Sequence, residues 1–393
     1  MPDHMPETRK SILRIGIVAN EPSGDMLGAG LMRELKKRVP DIVFDGIGGP
    51  LMESEGMVSL YPMERLSVMG LVEVVKHLPG LLSIRNGLKR HFFASPPNVF
   101  IGVDAPDFNL GLEKSLKRNG IPTIHYVSPT VWAWRPGRVK KIRASIDLML
   151  SIFPFEVDFL KSHGIPVNYI GHPLADEIAL DADQMVARRS LNIPSAARVI
   201  ALLPGSRLSE IEALAATFVE TARICLEQAP ELRFLVPMVN SKTRAAFESV
   251  WQDVAPELDL EVLDGASREA MLSADAVLSA SGTATLEALL LKRPMVVAYR
   301  LNPLTYWIVK AFNLVKTPYI AMSNLLSGEK VAPEYIQDEA TPEALSRALL
   351  DMLSSPDKMD YIQSVYNRVH RQLRLDSSAK AADAVLRLLL ERT

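Results

Sequence analysis

The sequence predicts an α/β protein with two tandem, doubly wound (Rossmann-like) parallel-sheet domains and a helical C-terminus. Short, continuously apolar segments alternate with helical segments along most of the 393 residues. Strands that are apolar throughout are typical of a parallel sheet covered by helices on both faces. A polar stretch at 176–190 separates two such series, which indicates two domains.

The expected strands follow the apolar runs in chain order. In the first series they lie at Arg14–Asn20, Val43–Gly48, Asn98–Asp104, Pro122–Ser128, Leu148–Phe153 and Val167–Gly171. In the second series they lie at Val199–Leu203, Arg233–Val239, Leu260–Leu263, Ala276–Ser279 and Met295–Tyr299. Helical patterns fall between strands, for example at Asp25–Val39, Pro106–Asn119 and Phe155–His163.

The expected domains are residues 1–180, residues 181–355 and C-terminal helices over 356–393. The whole segment Thr341–Thr393 has a helical pattern. Two placements are open for the last helices: they pack back on the first domain, or they exchange with a partner chain in a homodimer.

Composition restricts the functional class. Hydrophobic residues make up 48% and charged residues 23%, as in ordinary globular proteins. The net charge of -2 gives no reason to expect nucleic acid as a partner. Cys225 is the single cysteine, which fits a reducing cytosol. The polar N-terminus does not resemble a signal peptide, and no apolar run reaches the roughly 18 residues of a membrane span. We therefore expect a cytoplasmic protein whose membrane contact is peripheral.

The junction between Leu203 and Leu208 predicts an anion site. An apolar strand ends there, Gly205, Ser206 and Arg207 follow, and a helical pattern starts. Free N–H groups and the helix dipole attract anions, and a guanidinium adds bidentate phosphate recognition. Glu210 is placed to cap the helix. The alternative is a tight turn with a surface arginine.

A second strand-to-helix junction contains Ser281, Gly282 and Thr283. Glu287 lies four residues after Thr283, so the two share one helix face. The Glu287 carboxylate can accept hydrogen bonds from both ribose hydroxyls, and Gly282 lets the backbone approach a phosphate. Together the junctions predict a nucleoside diphosphate at the top of the second sheet. The alternative is a capped helix with a solvated glutamate.

Asp104 is the candidate general base, because it ends an apolar strand where a parallel sheet presents its ligands. Asp107 follows Pro106 and is expected in the first turn of a helix, a structural position. An Asx turn is the alternative for Asp104. The turn from Glu21 through Ser23 to Gly24 either approaches a ligand or only reverses the chain.

Two further segments are unusually apolar or aromatic. Residues 63–93 carry a wide apolar arc broken by Pro79, which predicts core packing, an apolar groove or a membrane-facing patch. Trp132 and Trp134 precede a basic run, which fits a solvated helix face or a site that binds an acceptor phosphate or an anionic lipid surface. His125 has no second histidine or cysteine nearby, so we do not expect a metal ligand.

A set of longer motifs extends over residues 14–340. They are Pro22-Ser-Gly-Asp25, Val68-Met-Gly-Leu-Val-Glu73, Gly102-Val-Asp-Ala-Pro-Asp-Phe-Asn109, Ile124-His-Tyr-Val-Ser-Pro-Thr-Val-Trp-Ala-Trp-Arg135, Pro154-Phe-Glu156, Gly171-His-Pro173, Leu203-Pro-Gly-Ser-Arg207, Ser281-Gly-Thr283 with Glu287, and Asn324-Leu-Leu326. As a set they closely resemble the lipid-A-disaccharide synthases, inverting glycosyltransferases of lipopolysaccharide assembly.

The resemblance implies a glycosyltransferase B architecture, with UDP bound mainly by the C-terminal domain. The implied donor is UDP-2,3-diacylglucosamine and the acceptor is 2,3-diacylglucosamine 1-phosphate (lipid X). The products are a β-1,6-linked disaccharide 1-phosphate and UDP. The base of the family matches Asp104, and its diphosphate-binding arginine matches Arg207. No Asp-x-Asp motif is placed to bind a divalent ion, so we expect neither a metal nor a cofactor.

We assign the remaining candidates on this basis. Donor binding is expected from Gly205, Ser206, Arg207, Ser281, Gly282, Thr283, Glu287 and Asn324. Acceptor or acyl binding is expected from Glu21, Ser23, Val68, Met69, Leu71, Val75, Trp132 and Trp134. Glu21 also remains an alternative to Asp104 as the base. Acylated substrates predict peripheral association with the cytoplasmic face of the inner membrane.

Two other functions fit the same architecture. A nucleotide-sugar 2-epimerase needs neither an acceptor nor a lipid-facing surface. A nucleotide-sugar-binding or membrane-associated scaffold binds UDP without turnover. The epimerase differs from the transferase in its product, and the scaffold differs in having no turnover.

Overall fold

The computed structural model describes residues 12–66, 71–129, 136–280, 282–301 and 318–392, with the side chains of 71–77 and 136 excepted. The chain divides into two compact units, Met1–Pro173 with Leu375–Thr393, and Leu174–Arg374. These bounds differ from the predicted 180 and 355, since residues 174–180 and 356–374 fall in the second unit.

The sheet of the first unit is parallel in every pairing. Its described strands are β1 Arg14–Val18, β2 Val43–Ile47, β3 Val58–Ser59, β4 Val99–Val103, β5 Thr123–Tyr126, β6 Leu148–Ser151 and β7 Val167–Tyr169. Their spatial order is β3-β2-β1-β4-β5-β6-β7. All six strands expected from the apolar runs are present, and each is one to three residues shorter than its run. β3 was not predicted, because two edge residues carry no pattern.

The second unit repeats the arrangement. Its described strands are β8 Arg198–Leu203, β9 Leu232–Met238, β10 Leu260–Asp264, β11 Ala276–Ala280, β12 Met295–Tyr299 and β13 Glu334–Ile336. Their order is β10-β9-β8-β11-β12-β13, and all pairs are parallel. The predicted fold class is confirmed: two doubly wound α/β units are present.

Helices cover the sheets. In chain order the described ones are α1 Pro22–Arg38, α2 Pro50–Ser54, α3 Leu71–Ala94, α4 Pro106–Arg118, α5 Val139–Ser145, α6 Phe155–Ser162, α7 Pro173–Glu177, α8 Gln184–Ser190, α9 Leu208–Gln228, α10 Ser241–Val254, α11 Ser267–Ser273, α12 Thr283–Leu290, α13 Met322–Ser327, α14 Pro342–Leu353, α15 Pro356–Leu373 and α16 Ser377–Leu390. Short 3₁₀ helices lie at Met63–Arg65, Pro136–Arg138 and Gln337–Glu339.

The last helix completes the core of the first unit. Ala381, Ala382 and Val385 of α16 are buried in one cluster with residues of β1 and α1. The Arg38 guanidinium on α1 donates to Asp383 Oδ1 at 2.8 Å. The C-terminal helix therefore packs on the first unit of its own chain, one of the two placements that the sequence left open.

Register places the candidate loops of the second unit side by side. Leu203 at the end of β8 pairs with Ser279 near the end of β11. The loops that follow these two neighbouring strands therefore begin at the same edge of the sheet, where parallel sheets bind ligands.

Candidate active site

A cavity of about 310 Å³ lies at this edge of the second unit. Its walls include both predicted junctions, with Gly205, Ser206 and Arg207 from one and Gly282 and Thr283 from the other. The structure thus brings together two motifs that are more than 70 residues apart in the sequence. Ser281 lies outside the described residues.

Gly205 is required by the geometry of the first loop. Its φ is +144°, a conformation that residues with a Cβ rarely adopt. A Cβ at this position would lie 2.3 Å from Glu210 Cβ, so any larger residue would displace the first turn of α9.

Glu210 closes that turn, as predicted. Its Oε2 accepts from the backbone N–H groups of Ser206 at 2.8 Å and Arg207 at 3.2 Å. Its Oε1 lies 3.3 Å from Arg207 Nη1. The expectation of free N–H groups was therefore wrong for these two donors, because a carboxylate of the same helix already binds them. The Arg207 side chain is 63% exposed and keeps further guanidinium donors for an anion.

Hydrogen bonds of Thr285 hold the second loop, which contains Gly282 and Thr283, at the start of α12. Thr285 Oγ1 donates to Gly282 O at 2.8 Å and accepts from Met322 N at 3.2 Å. Gly282 and Thr283 themselves are exposed at the start of α12. Glu287, one turn further along, is partly buried, and its Oε1 accepts from Arg268 Nε at 3.0 Å.

Asn324 has a different position from the one expected. Its side chain is fully buried, and Nδ2 donates to Ala332 O and to Glu334 Oε1, both at 2.8 Å. Its Oδ1 accepts from Val331 N at 2.9 Å and Ala332 N at 2.8 Å. These four bonds satisfy the amide internally, so the expected direct contact with the donor is not supported by the geometry.

In the first unit, Asp104 follows β4 in a strained backbone. Asp104 has a φ of 52° and Ala105 a φ of 44°, both in the left-handed region. For residues other than glycine this conformation costs about 1–2 kcal/mol each. Such strain persists only where the surroundings fix it, and it is concentrated at functional sites.

Asn109 fixes this strained turn. Its buried Nδ2 donates to Asp104 O at 2.9 Å and to Val103 O at 3.3 Å. Its backbone N–H donates to Ala105 O at 2.9 Å, and Asp104 N donates to Tyr126 O at 2.8 Å. This role of Asn109 was not predicted, although a polar residue on the buried face of α4 is a signal for it.

A buried acid–base pair joins α4 to β5. Glu113 Oε1 lies 2.7 Å from His125 Nδ1, and both side chains are fully buried. Burial raises the pKa of the Glu113 carboxyl, and the His125 ring opposes that rise. A Cβ on Gly102 would lie 2.2 Å from Glu113 Oε1, so glycine is needed where the pair crosses β4.

The neighbouring acids have structural partners. Asp107 lies in the first turn of α4 as expected, and its Oδ1 accepts from Arg138 Nη2 at 2.7 Å. Buried Asp25 accepts from the backbone N–H groups of Gly49 at 2.9 Å, Leu51 at 3.0 Å and Met52 at 3.0 Å. Asp25 thus ties the start of α1 to the glycine-rich turn before α2. Glu21, half-buried, and Ser23, exposed, precede it on this fixed turn.

The apolar segment divides into two faces within α3. Ile84, Leu88 and Phe92 are buried in the core of the first unit. Leu78 is 46% exposed and Leu82 is 38% exposed. Val68, Met69, Trp132 and Trp134 lie outside the described residues, and the side chains of Leu71 and Val75 are not described.

Within the described ranges, no three His, Cys, Asp or Glu side chains are grouped to hold a metal ion. No described helix has the length and apolar character needed to span a bilayer.

The family comparison covers nearly the whole chain. A family model described as lipid-A-disaccharide synthetase matches residues 15–388. A lipid-A-disaccharide synthase of Pseudomonas aeruginosa (strain UCBPP-PA14) is 53% identical over 380 residues, which are 97% of this chain and 99% of that protein. Another, of Cellvibrio japonicus (strain Ueda107), is 49% identical over 377 residues, 96% of this chain and 97% of that protein.

Solved structures with a similar fold are more distant in sequence. The glycosyltransferase of kitacinnamycin has a TM-score of 0.63 at 18% identity, covering 96% of this chain and 99% of that one. A UDP-GlcNAc 2-epimerase from Neisseria meningitidis bound to UDP-GlcNAc has a TM-score of 0.60 at 12% identity, covering 96% and 99%. At these identities the likeness shows the fold alone, which transferases and epimerases share.

Proposed function

The chain belongs to the lipid-A-disaccharide synthase family, and on that premise we propose how its residues carry the reaction. It is a glycosyltransferase of the glycosyltransferase B architecture that forms the lipid A disaccharide. Its proposed donor is UDP-2,3-diacylglucosamine and its proposed acceptor is 2,3-diacylglucosamine 1-phosphate. The main support for the proposal is the single cavity in the second unit that both the loop at Gly205 and the loop at Gly282 line.

The donor diphosphate binds against these loops. Arg207 supplies an exposed guanidinium, and the backbone at Gly282 and Thr283 supplies N–H groups at the start of α12. Ser281 belongs to the same loop by sequence. Glu287 accepts hydrogen bonds from the ribose hydroxyls, which are donors that suit an ionised carboxylate.

The acceptor reacts at Asp104. The Asp104 carboxylate takes the proton from the 6-hydroxyl of the acceptor as that oxygen bonds to the anomeric carbon of the donor. The bond from the anomeric carbon to the diphosphate oxygen breaks in the same step, so the configuration inverts. The electron pair leaves with UDP, and Arg207 stabilises the charge that develops there.

Asn324 and Asn109 act by positioning. Asn324 holds Glu334, whose carboxylate also accepts from the N–H of Ala321 at 2.9 Å before α13. Helix α13 in turn contacts the second loop through the bond between Met322 N and Thr285. Asn109 holds the backbone of Asp104. We therefore propose that Asn324 affects the donor site only through this loop.

Enzyme assays with defined lipids test the reaction. Incubation with the diacylated donor and acceptor is expected to release UDP and to form a tetra-acylated disaccharide, read by thin-layer chromatography. Asp104→Asn serves as the inactive control. Formation of a 2-epimer from UDP-N-acetylglucosamine alone would instead support the epimerase, and tight UDP binding without turnover would support a scaffold.

Peripheral association with the cytoplasmic face of the inner membrane is proposed from the acylated substrates and the exposed leucines of α3. Leu78 and Leu82 lie one turn apart and are both substantially exposed, so they place two neighbouring apolar side chains on the surface of α3. Val68, Leu71 and Val75, which the sequence predicts to bind acyl chains, keep that proposed role. A homodimer stays a prediction.

The double change Leu78→Ser with Leu82→Ser is expected to weaken vesicle binding about tenfold, because two partly exposed leucines lose their transfer into lipid. Sedimentation with vesicles containing anionic phospholipid measures this effect. Val186→Ser is a matched control, since Val186 is 54% exposed on α8 of the second unit. Equal binding of both variants and the unmodified protein would contradict the proposal.

A further inference from the structure

Arg268 joins two carboxylates within the second unit. It lies on α11, and its Nε donates to Glu287 Oε1 at 3.0 Å. Its Nη1 donates to Glu177 Oε1 at 2.7 Å. The guanidinium therefore binds Glu287, the proposed ribose-binding acid, through Nε and binds Glu177 through Nη1.

The contact with Glu287 restricts the acid that meets the ribose. A free glutamate side chain samples many rotamers, and a planar guanidinium that donates from a fixed direction removes most of this freedom. The bond uses Oε1 of a group with about four acceptor positions, so acceptor capacity remains for hydroxyl groups.

The contact with Glu177 connects Arg268 to residues 174–180, the first segment of the second unit. Glu177 is the last residue of α7, and the second unit begins within this helix, at Leu174. The same segment is held at two carbonyl groups: His370 Nε2 lies 2.9 Å from Ala175 O, and Lys292 Nζ donates to Ala179 O at 3.3 Å. Arg268 adds a third attachment, and this one ends at the donor site.

We propose that Arg268 is a positioning residue for the donor site, which holds Glu287 for the ribose and joins it through Glu177 to the segment linking the two units. The proposal rests on the ribose-binding role of Glu287 proposed above. It assigns specificity for the sugar of the nucleotide to a residue that need not touch the nucleotide.

The test compares UDP with 2′-deoxy-UDP by calorimetry on the full chain. The unmodified protein is expected to prefer UDP, and Glu287→Gln is expected to reduce that preference about tenfold, since a charged acceptor is lost. Arg268→Gln is expected to reduce the preference several-fold by releasing Glu287. Arg268→Lys keeps the charge without the planar fork, and its preference for UDP is expected to lie between that of the unmodified protein and that of Arg268→Gln.

Glu177→Gln weakens the contact of Arg268 with Glu177 and leaves its contact with Glu287 intact. It is expected to keep the preference for UDP but to speed hydrogen exchange of the backbone amides at 174–180. Binding of UDP to the unmodified protein is expected to slow exchange at the same amides, and this slowing is expected to be lost in Arg268→Gln.

The outcomes distinguish the ribose-binding role of Glu287 from the positioning role of Arg268. An unchanged preference in Glu287→Gln would remove the ribose assignment itself. A reduced preference in Glu287→Gln with an unchanged preference in both Arg268 variants would overturn the role of Arg268 alone. If Arg268→Gln does not fold, the Arg268→Lys preference and the exchange of Glu177→Gln decide the question.

Discussion

Asp104→Asn is expected to lower kcat by about 10²–10⁴-fold, the usual contribution of a positioned general base. Asparagine keeps the size and the backbone bonds of the strained turn but cannot accept the proton of the attacking hydroxyl. The Kd of UDP is expected to stay within about twofold, because the proposed nucleotide contacts are all made by residues of the second unit and Asp104 belongs to the first. Release of UDP measures turnover, and calorimetry measures binding.

Two other carboxylates serve as controls for Asp104. Asp107→Asn alters an exposed acid three residues away that pairs with Arg138, so near-normal turnover is expected. Glu21→Gln tests the second candidate base. Turnover near the unmodified rate in Asp104→Asn, together with loss in Glu21→Gln, would transfer the role of base to Glu21.

The turn around Asp104 explains why this acid suits the role. A left-handed pair of residues is unfavourable in an unfolded or loosely held loop, so the bonds from Asn109 must offset a cost of about 1–2 kcal/mol for each residue. A side chain on such a fixed turn loses little freedom when the substrate binds. The entropic cost of orienting the base therefore arises during folding and not during the reaction.

Most of the fold could be predicted from the sequence, because continuous apolar strands and amphipathic helices alternate with little ambiguity. The two strands that were missed, β3 and β13, have two and three residues. They pair at the edges of the sheets, where burial is incomplete and no apolar run is needed. Their existence depends on a neighbouring strand that offers free backbone groups, which sequence periodicity does not record.

The site was predictable only where a local pattern carries the chemistry. The loops at Gly205 and Gly282 were found because glycine at a strand-to-helix junction has a direct physical meaning. The buried role of Asn324 was not found, since it depends on Glu334 and on carbonyl groups of a folded loop. The bond between Arg268 and Glu287 likewise joins different helices. Pairing of polar groups across elements is decided by packing, which one sequence does not specify.

Arg207→Ala is expected to lower kcat by about 10²–10³-fold, the usual cost of removing one donor that stabilises a developing negative charge. The affinity for UDP is expected to fall as well, because the guanidinium also binds the ground-state diphosphate. Folding is expected to be unaffected, since the side chain is 63% exposed and exposed ion pairs contribute little to stability. Arg207→Lys keeps the charge and is expected to retain part of the rate.

Glu210→Gln is the matched control, because Glu210 lines the same cavity and binds the backbone of the same loop. The amide oxygen of glutamine can still accept from the N–H groups of Ser206 and Arg207, so the turn is expected to survive. The negative charge that competes with the diphosphate for these donors is removed, and UDP is therefore expected to bind a few-fold more tightly. If Glu210→Gln instead loses turnover as severely as Arg207→Ala, the shape of the loop and not the guanidinium stabilises the leaving group.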